Sequence, residues 1–177
     1  MPITEVKDPN AVHLGLGVLG LAAYPQGSPP GAFTDVGYLK GMNATYNREL
    51  KEFESAGILV KRLAFRDRLT AQADWAEVSI ENLNTVLANN NQAQGLGYAG
   101  TTVSFGGNRG IVRFAMRFES TRDDHKVITL DIFKCTPASE FRLAFAEEEF
   151  ITYPVEFSAE ADTSKPSGAQ YGRITIV

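Results

Sequence analysis

The residues best suited to nucleophilic chemistry are the lone Cys135 and the two histidines, His13 and His125. A thiolate site also needs a third group to orient the histidine and donors for the oxyanion. Nothing around Cys135, in Ile132-Phe-Lys-Cys-Thr-Pro137, supplies them, so a packed cysteine at a strand end is expected. Carboxylates occur as plain runs, Asp123-Asp124 and Glu147-Glu148-Glu149. Calcium loops interleave oxygen ligands around a turn glycine, so these runs read as solvated faces. Gly95-Leu-Gly-Tyr-Ala-Gly100 spells G-x-G-x-x-G. Dinucleotide binding needs a strand before that string and a helix after it. Here a helix is expected before and strands after, which makes the segment a loop. Asn43-Ala-Thr45 matches the glycosylation string but follows no secretory signal. No catalytic, metal or cofactor site is expected, and the chain does not read as an enzyme.

The elements themselves are mostly strands. Val12, Leu14, Leu16 and Val18 share one parity with glycines on the other, which predicts a first strand with its apolar side at the even positions. Tyr24-Pro-Gln-Gly-Ser-Pro-Pro-Gly31 is a loop or arm. Met42, Ala44 and Tyr46 alternate with Asn43, Thr45 and Asn47, and the run from Leu63 to Trp75 is again strand-like, its apolar face interrupted by Asp67. Trp75 reads as a core or interface anchor. Val112, Phe114, Met116 and Phe118 form the cleanest alternation. Strands are also expected over 126–134, 141–145, 151–157 and 172–177. One helix is predicted over about 79–89, with Ser79 as N-cap, Val78 and Leu83 as a hydrophobic staple, and Ile80, Leu83, Val86 and Leu87 on one face. The fold class is mainly β: a β-sandwich or half-barrel of about seven or eight strands with one flanking helix. Residues 1–35 read as an N-terminal arm or strand with a Pro/Gly-rich loop, and residues 36–177 as a single domain.

Bulk composition narrows the function classes. The 177 residues suit one domain with a proper core. With 17 Lys+Arg against 21 Asp+Glu, the net charge of −4 provides no basic footprint for gripping phosphates. One cysteine rules out an internal disulfide. Met1-Pro-Ile-Thr-Glu-Val-Lys-Asp-Pro-Asn10 lacks the basic and apolar regions of a signal peptide, and no apolar run reaches the ~20 residues of a membrane span. Synthesis and assembly in a cytoplasm, with no membrane partner, are expected.

Several segments carry a family likeness. Phe33-Thr-Asp-Val-Gly-Tyr-Leu-Lys-Gly41 leads through a charged hairpin to Ala76-Glu-Val-Ser-Ile-Glu-Asn-Leu83. Phe141-Arg-Leu-Ala-Phe145, Tyr153-Pro-Val-Glu-Phe-Ser-Ala-Glu-Ala-Asp162 and Ser164-Lys-Pro-Ser-Gly168 follow. In this order, across roughly residues 31 to 176, they resemble the major tail (tail tube) proteins of tailed bacteriophages. The type VI secretion tube protein shares that architecture. The resemblance implies a virion tail protein that self-assembles into stacked hexameric rings with other phage tail proteins as neighbours. DNA would pass through the lumen without specific binding. An acidic wall suits that, because affinity for a polyanion needs cations.

The stretch Arg48 to Arg62 is the expected inter-subunit or inter-ring loop. It mixes Arg48, Lys51, Lys61 and Arg62 with Glu49, Glu52 and Glu54, and it carries Phe53, Ile58, Leu59 and Val60 with no core of its own. Such a loop is expected to order against a neighbouring subunit. Glu156 and Glu160, opposite in parity to Tyr153, Val155 and Phe157, are the expected lumen carboxylates. The alternative is a non-enzymatic β-sandwich binding module for carbohydrate or a receptor, with Tyr24, Tyr38, Tyr98 and Tyr171 as an aromatic platform.

Overall fold

The computed structural model describes residues 17–24, 33–56, 58–76, 79–80, 83, 111–122, 124–137 and 153–177. Eight strands run through them: β1 Val18–Ala23, β2 Thr34–Asp35, β3 Leu39–Ser55, β4 Ile58–Trp75, β5 Phe114–Thr121, β6 Val127–Pro137, β7 Tyr153–Ala159 and β8 Gly172–Ile176. All pairings are antiparallel and form one open sheet in the order β2-β1-β5-β6-β7-β4-β3, with β8 joined to β6. The chain is mainly β, as its alternating patterns predict. The pairing is continuous, the half-barrel form of the expectation rather than two separately bonded layers.

β6 makes the sheet branch. One edge pairs with β5; along the other, Ile128–Ile132 pair with β8 and Cys135–Pro137 pair with β7. The change of partner falls at a bulge, where Phe114 opposes Cys135 but Met116 opposes Ile132. An extra residue bends a strand and increases its local twist, so the bulge turns the two halves of the sheet toward each other. One apolar cluster results, joining Leu19 and Leu21 of β1 to Met116 of β5, Ile132 of β6, Val155 of β7 and Trp75 of β4. Along a flat sheet β1 and β4 would stand four strand spacings apart, about 19 Å. A shared core therefore requires the sheet to curl around it. Trp75 is fully buried there, edge-on to Tyr153 at 5.7 Å between ring centroids and tilted against Phe157 at 6.3 Å.

β7 follows its sequence pattern: Tyr153, Val155 and Phe157 are buried, Pro154 and Glu156 exposed. β1 corrects it. Val18 was expected on the apolar side, yet it is 55% exposed while Leu19 and Leu21 are fully buried. Val18-Leu19-Gly20-Leu21 is apolar at both parities, so alternation alone cannot choose between them. The choice comes from pairing with β5, where Leu19 opposes Phe118 and Leu21 opposes Met116. On the outer side a Cβ at Gly20 would meet Cβ of Phe33 at 2.8 Å, so the glycine lets Phe33 lie against the strand. Leu83 N–H donates to the Ser79 carbonyl at 3.0 Å, one helical step at the expected helix start. The remainder of the predicted helix, Val12–Leu16, the Gly95–Gly100 loop, the Phe141–Phe145 strand and Glu147–Glu149 lie outside the described residues.

One carboxylate is buried in the sheet. Asp131 on β6, 5% exposed, accepts from Arg117 Nε of β5 at 2.7 Å and Arg173 Nε of β8 at 2.9 Å. Three strands are thereby tied through one residue, and the bond to Asp131 pushes the Arg117 guanidinium pKa upward.

Candidate functional site

β3 and β4 extend far past the core as a two-stranded ribbon. Their pairing runs from Leu39↔Trp75 to Ser55↔Ile58, so the Arg48–Arg62 stretch is paired strand rather than open loop. Beyond Asn43 the ribbon reaches roughly 40 Å at strand rise. Its tip is a tight link in which Ala56 takes a positive φ of 50°. Two-residue hairpins need such left-handed backbone to match strand twist. Register shifts between Glu49/Leu50 and Phe53/Glu54 skip Phe65 and Val60 of β4.

The ribbon carries most of the exposed bulk apolar surface among the described residues. Tyr46, Leu50, Phe53, Ile58, Leu59, Val60, Leu63 and Phe65 are eight of fourteen large hydrophobic side chains that are exposed. Phe53 stands at 61% and Ile58 at 69%. The sequence singles out Phe53 and Ile58 to Val60 but not Leu50 of the same charged stretch, nor Tyr46, Leu63 and Phe65, whose patterns read as ordinary half-buried strands. The available signal was an apolar residue at both parities amid charges, which no single core face can absorb.

Polar contacts brace the ribbon where it leaves the body. Arg48 Nε donates to Asp67 Oδ1 at 2.9 Å, Arg48 Nη2 donates to Tyr46 Oη at 2.7 Å, and Tyr171 Oη donates to the Asp67 carbonyl at 3.1 Å. The Arg48 guanidinium holds the Asp67 carboxyl below its usual range. Asp67, an interruption in the sequence pattern, thus has its partner directly across the strand pair. Further out, Arg62 Nε donates to Glu52 Oε1 at 2.5 Å, and the Lys51 ammonium sits 3.7 Å from the Phe65 ring centroid. Glu49, Glu54 and Lys61 are exposed on the same ribbon.

The two expected lumen carboxylates differ. Glu156 is exposed, opposite Gln72 on the face turned from the core. Glu160 lies just past β7 and is held by Arg113 Nε and Lys134 Nζ, both at 2.9 Å. Burial raises its pKa, but the bonds from Lys134 and Arg113 outweigh that and leave it lowered. Only one of the described tyrosines of the expected platform is largely open to solvent. Tyr38 is 80% exposed, Tyr24 and Tyr171 are half-buried and hydrogen-bonded to Asp162 and Asp67, and Tyr98 lies outside the described residues.

Cys135 is buried, and its Sγ donates to the Phe114 carbonyl at 3.4 Å. Burial pushes the thiol pKa far upward, so no thiolate forms near neutral pH. His125 sits in a turn at φ 64°, and Asp124 there is paired with Arg122 at 3.2 Å. No group of three or more His, Cys, Asp or Glu side chains placed to hold a metal occurs among the described residues.

No protein-family model matches the chain, and no curated protein sequence does. Among thirteen matching chains of solved structures is one from the cryo-EM structure of the anti-feeding prophage (AFP) baseplate, 6-fold symmetrised. The likeness covers 97% of each chain at a TM-score of 0.53 and 10% sequence identity, so this chain shares its fold with a component of that baseplate over nearly its whole length.

Proposed function

We propose that the chain is a structural, non-catalytic protein of a phage-tail-like particle, and that it self-assembles into stacked rings, six subunits to a ring, forming a tail tube for DNA. The observation that carries this is the ribbon: a body with a closed core extends a paired arm whose bulky apolar side chains face water. Apolar surface on that scale marks an interaction site, and the long outer edge of β3 pairs with no other strand among the described residues. The shared fold with a chain of a sixfold baseplate supports a ring as the form of assembly. In the tube, Arg48, Glu49, Lys51, Glu52, Phe53, Glu54, Ile58, Lys61 and Arg62 lie at the contact with the neighbouring subunit or ring. Glu156 faces the lumen, while Glu160, shared by two cations, adds little negative field there.

Purified protein at rising concentration, followed by sedimentation velocity and negative-stain microscopy, is expected to give rings or tubes. A strict monomer at several salt concentrations and pH values would overturn the proposal. The baseplate neighbour favours one second reading, a ring component that assembles only with other tail proteins. Rings that form but never stack would select it.

A further inference from the structure

The ribbon is electrostatically two-faced. Residues directly opposite in an antiparallel pair share a face, and the register assigns every charged residue of the ribbon to one side or the other. The face continuous with Leu69 and Ala71 carries Arg48 opposite Asp67 and Glu52 opposite Arg62, both joined as ion pairs, together with Glu54. Its net charge is −1.

The other face carries Lys51, Lys61, Arg66 and Arg68 against the single carboxylate Glu49, a net of +3. None of those four cations has an ion-pair partner among the described residues, and Lys51 lies over an apolar ring, that of Phe65. Phe53, Ile58 and Leu63, all more than half exposed, stand among them. Over residues 43–68 there are six cations and four carboxylates, so the ribbon is +2. The whole chain is −4, which leaves −6 on the rest of the molecule.

We propose that the +3 face of the ribbon docks on the acidic body of a second copy of this chain, through the arginines Arg66 and Arg68 around the apolar group Phe53, Ile58 and Leu63. This rests on the self-assembly proposed above and adds to it which face is buried and what draws the partner in. Charge of opposite sign steers encounter and fixes register, while the apolar centre supplies the affinity. A ribbon of one subunit meeting the body of the next is a heterologous contact, the kind that closes into rings or grows open assemblies. The opposite face, with its cations already neutralised by Asp67 and Glu52, borders the contact but adds no charge steering to this docking.

The test compares the wild-type chain with Arg66→Glu/Arg68→Glu and with Lys40→Glu/Lys126→Glu, which changes net charge equally away from this face. Sedimentation velocity measures assembly, and circular dichroism checks folding. Raising salt from about 0.05 M to about 0.5 M is expected to lower wild-type assembly, since screening shortens the reach of exposed charges. The arginine variant is expected to need about tenfold more protein to assemble, while the lysine variant assembles as wild type does. In assembled protein, acetylation of Lys51 and Lys61 is expected to fall while that of Lys40 and Lys126 continues. Tubes that form equally well from the arginine variant would overturn the docking face and leave the tube standing. Oligomers that are not rings or tubes, yet depend on Arg66 and Arg68, would support the face and remove the tube. A wild type that never assembles removes both. If the arginine variant assembles normally but loses retention of duplex DNA, the face is a nucleic acid surface and the proposal fails.

Discussion

Asp162 shows how a single residue can fasten a whole turn. Its Oδ1 accepts from Ser164 Oγ at 2.7 Å, Ser164 N at 3.0 Å and Tyr24 Oη at 3.4 Å. Its backbone N–H donates to the Gln170 carbonyl, and its carbonyl accepts from Lys165 N. The Ser164 hydroxyl bond leads in lowering the carboxyl pKa, against the upward push of burial. Glu160, two residues earlier, is lowered as well. A carboxylate whose folded pKa lies below its unfolded value adds stability above the unfolded pKa and loses it as pH falls through the folded one. The junction of β7 with the Asp162–Gln170 turn is therefore expected to hold at neutral pH and weaken only below the ordinary carboxylate range. Ser164→Ala removes the leading bond, so Asp162 should titrate at higher pH and acid unfolding should begin earlier. Carboxyl carbon shifts followed by NMR through an acid titration give the answer. An unchanged Asp162 titration in the variant would refute this account.

At the scale of elements the ribbon and the body obey different physics. The body's strands from Leu69 inward face a shared core, so their alternation is set by burial and could be read directly, as in β7. The ribbon has no such core. Its pairing skips Phe65 and Val60, and each bulge shifts the parity of β4 relative to β3, erasing the period-two signal that would have marked a strand. The Arg48–Arg62 charges therefore looked like a loop. The branch at β6 was likewise unreadable, because pairing with β8 at one end and β7 at the other is a long-range choice. Since no described ribbon residue between Leu50 and Phe65 belongs to the core, replacing that segment with an Asn-Gly turn is expected to leave body stability within about 1 kcal/mol. The same deletion should abolish assembly, and Phe53→Glu should impair it without unfolding the subunit. Thermal unfolding and sedimentation of both variants provide the check; a shortened chain that still forms rings or tubes would mean that the contact lies elsewhere.

At the scale of the molecule, the question is whether β1 and β2 form a detachable arm or part of one cooperative body. Leu19 and Leu21 are buried in the same cluster as Trp75, although β1 and β4 lie on opposite sides of β6 in the sheet order. Curling of the sheet makes this contact possible, so removing a side chain from β1 should be felt at β4. Truncating a fully buried leucine costs about 2–5 kcal/mol through lost transfer energy and the cavity left behind. Trp75 is the only tryptophan, so its fluorescence reports β4 without interference. Leu21→Ala is therefore expected to lower the urea midpoint of the Trp75 transition while leaving a single step, as one cooperative unit requires. Val18→Ala, on the exposed side of the same strand, should move that midpoint little. If β1 were instead an arm that docks only on assembly, Leu21→Ala would leave the Trp75 transition of the monomer where it was, and a second transition or none would report the strand's release.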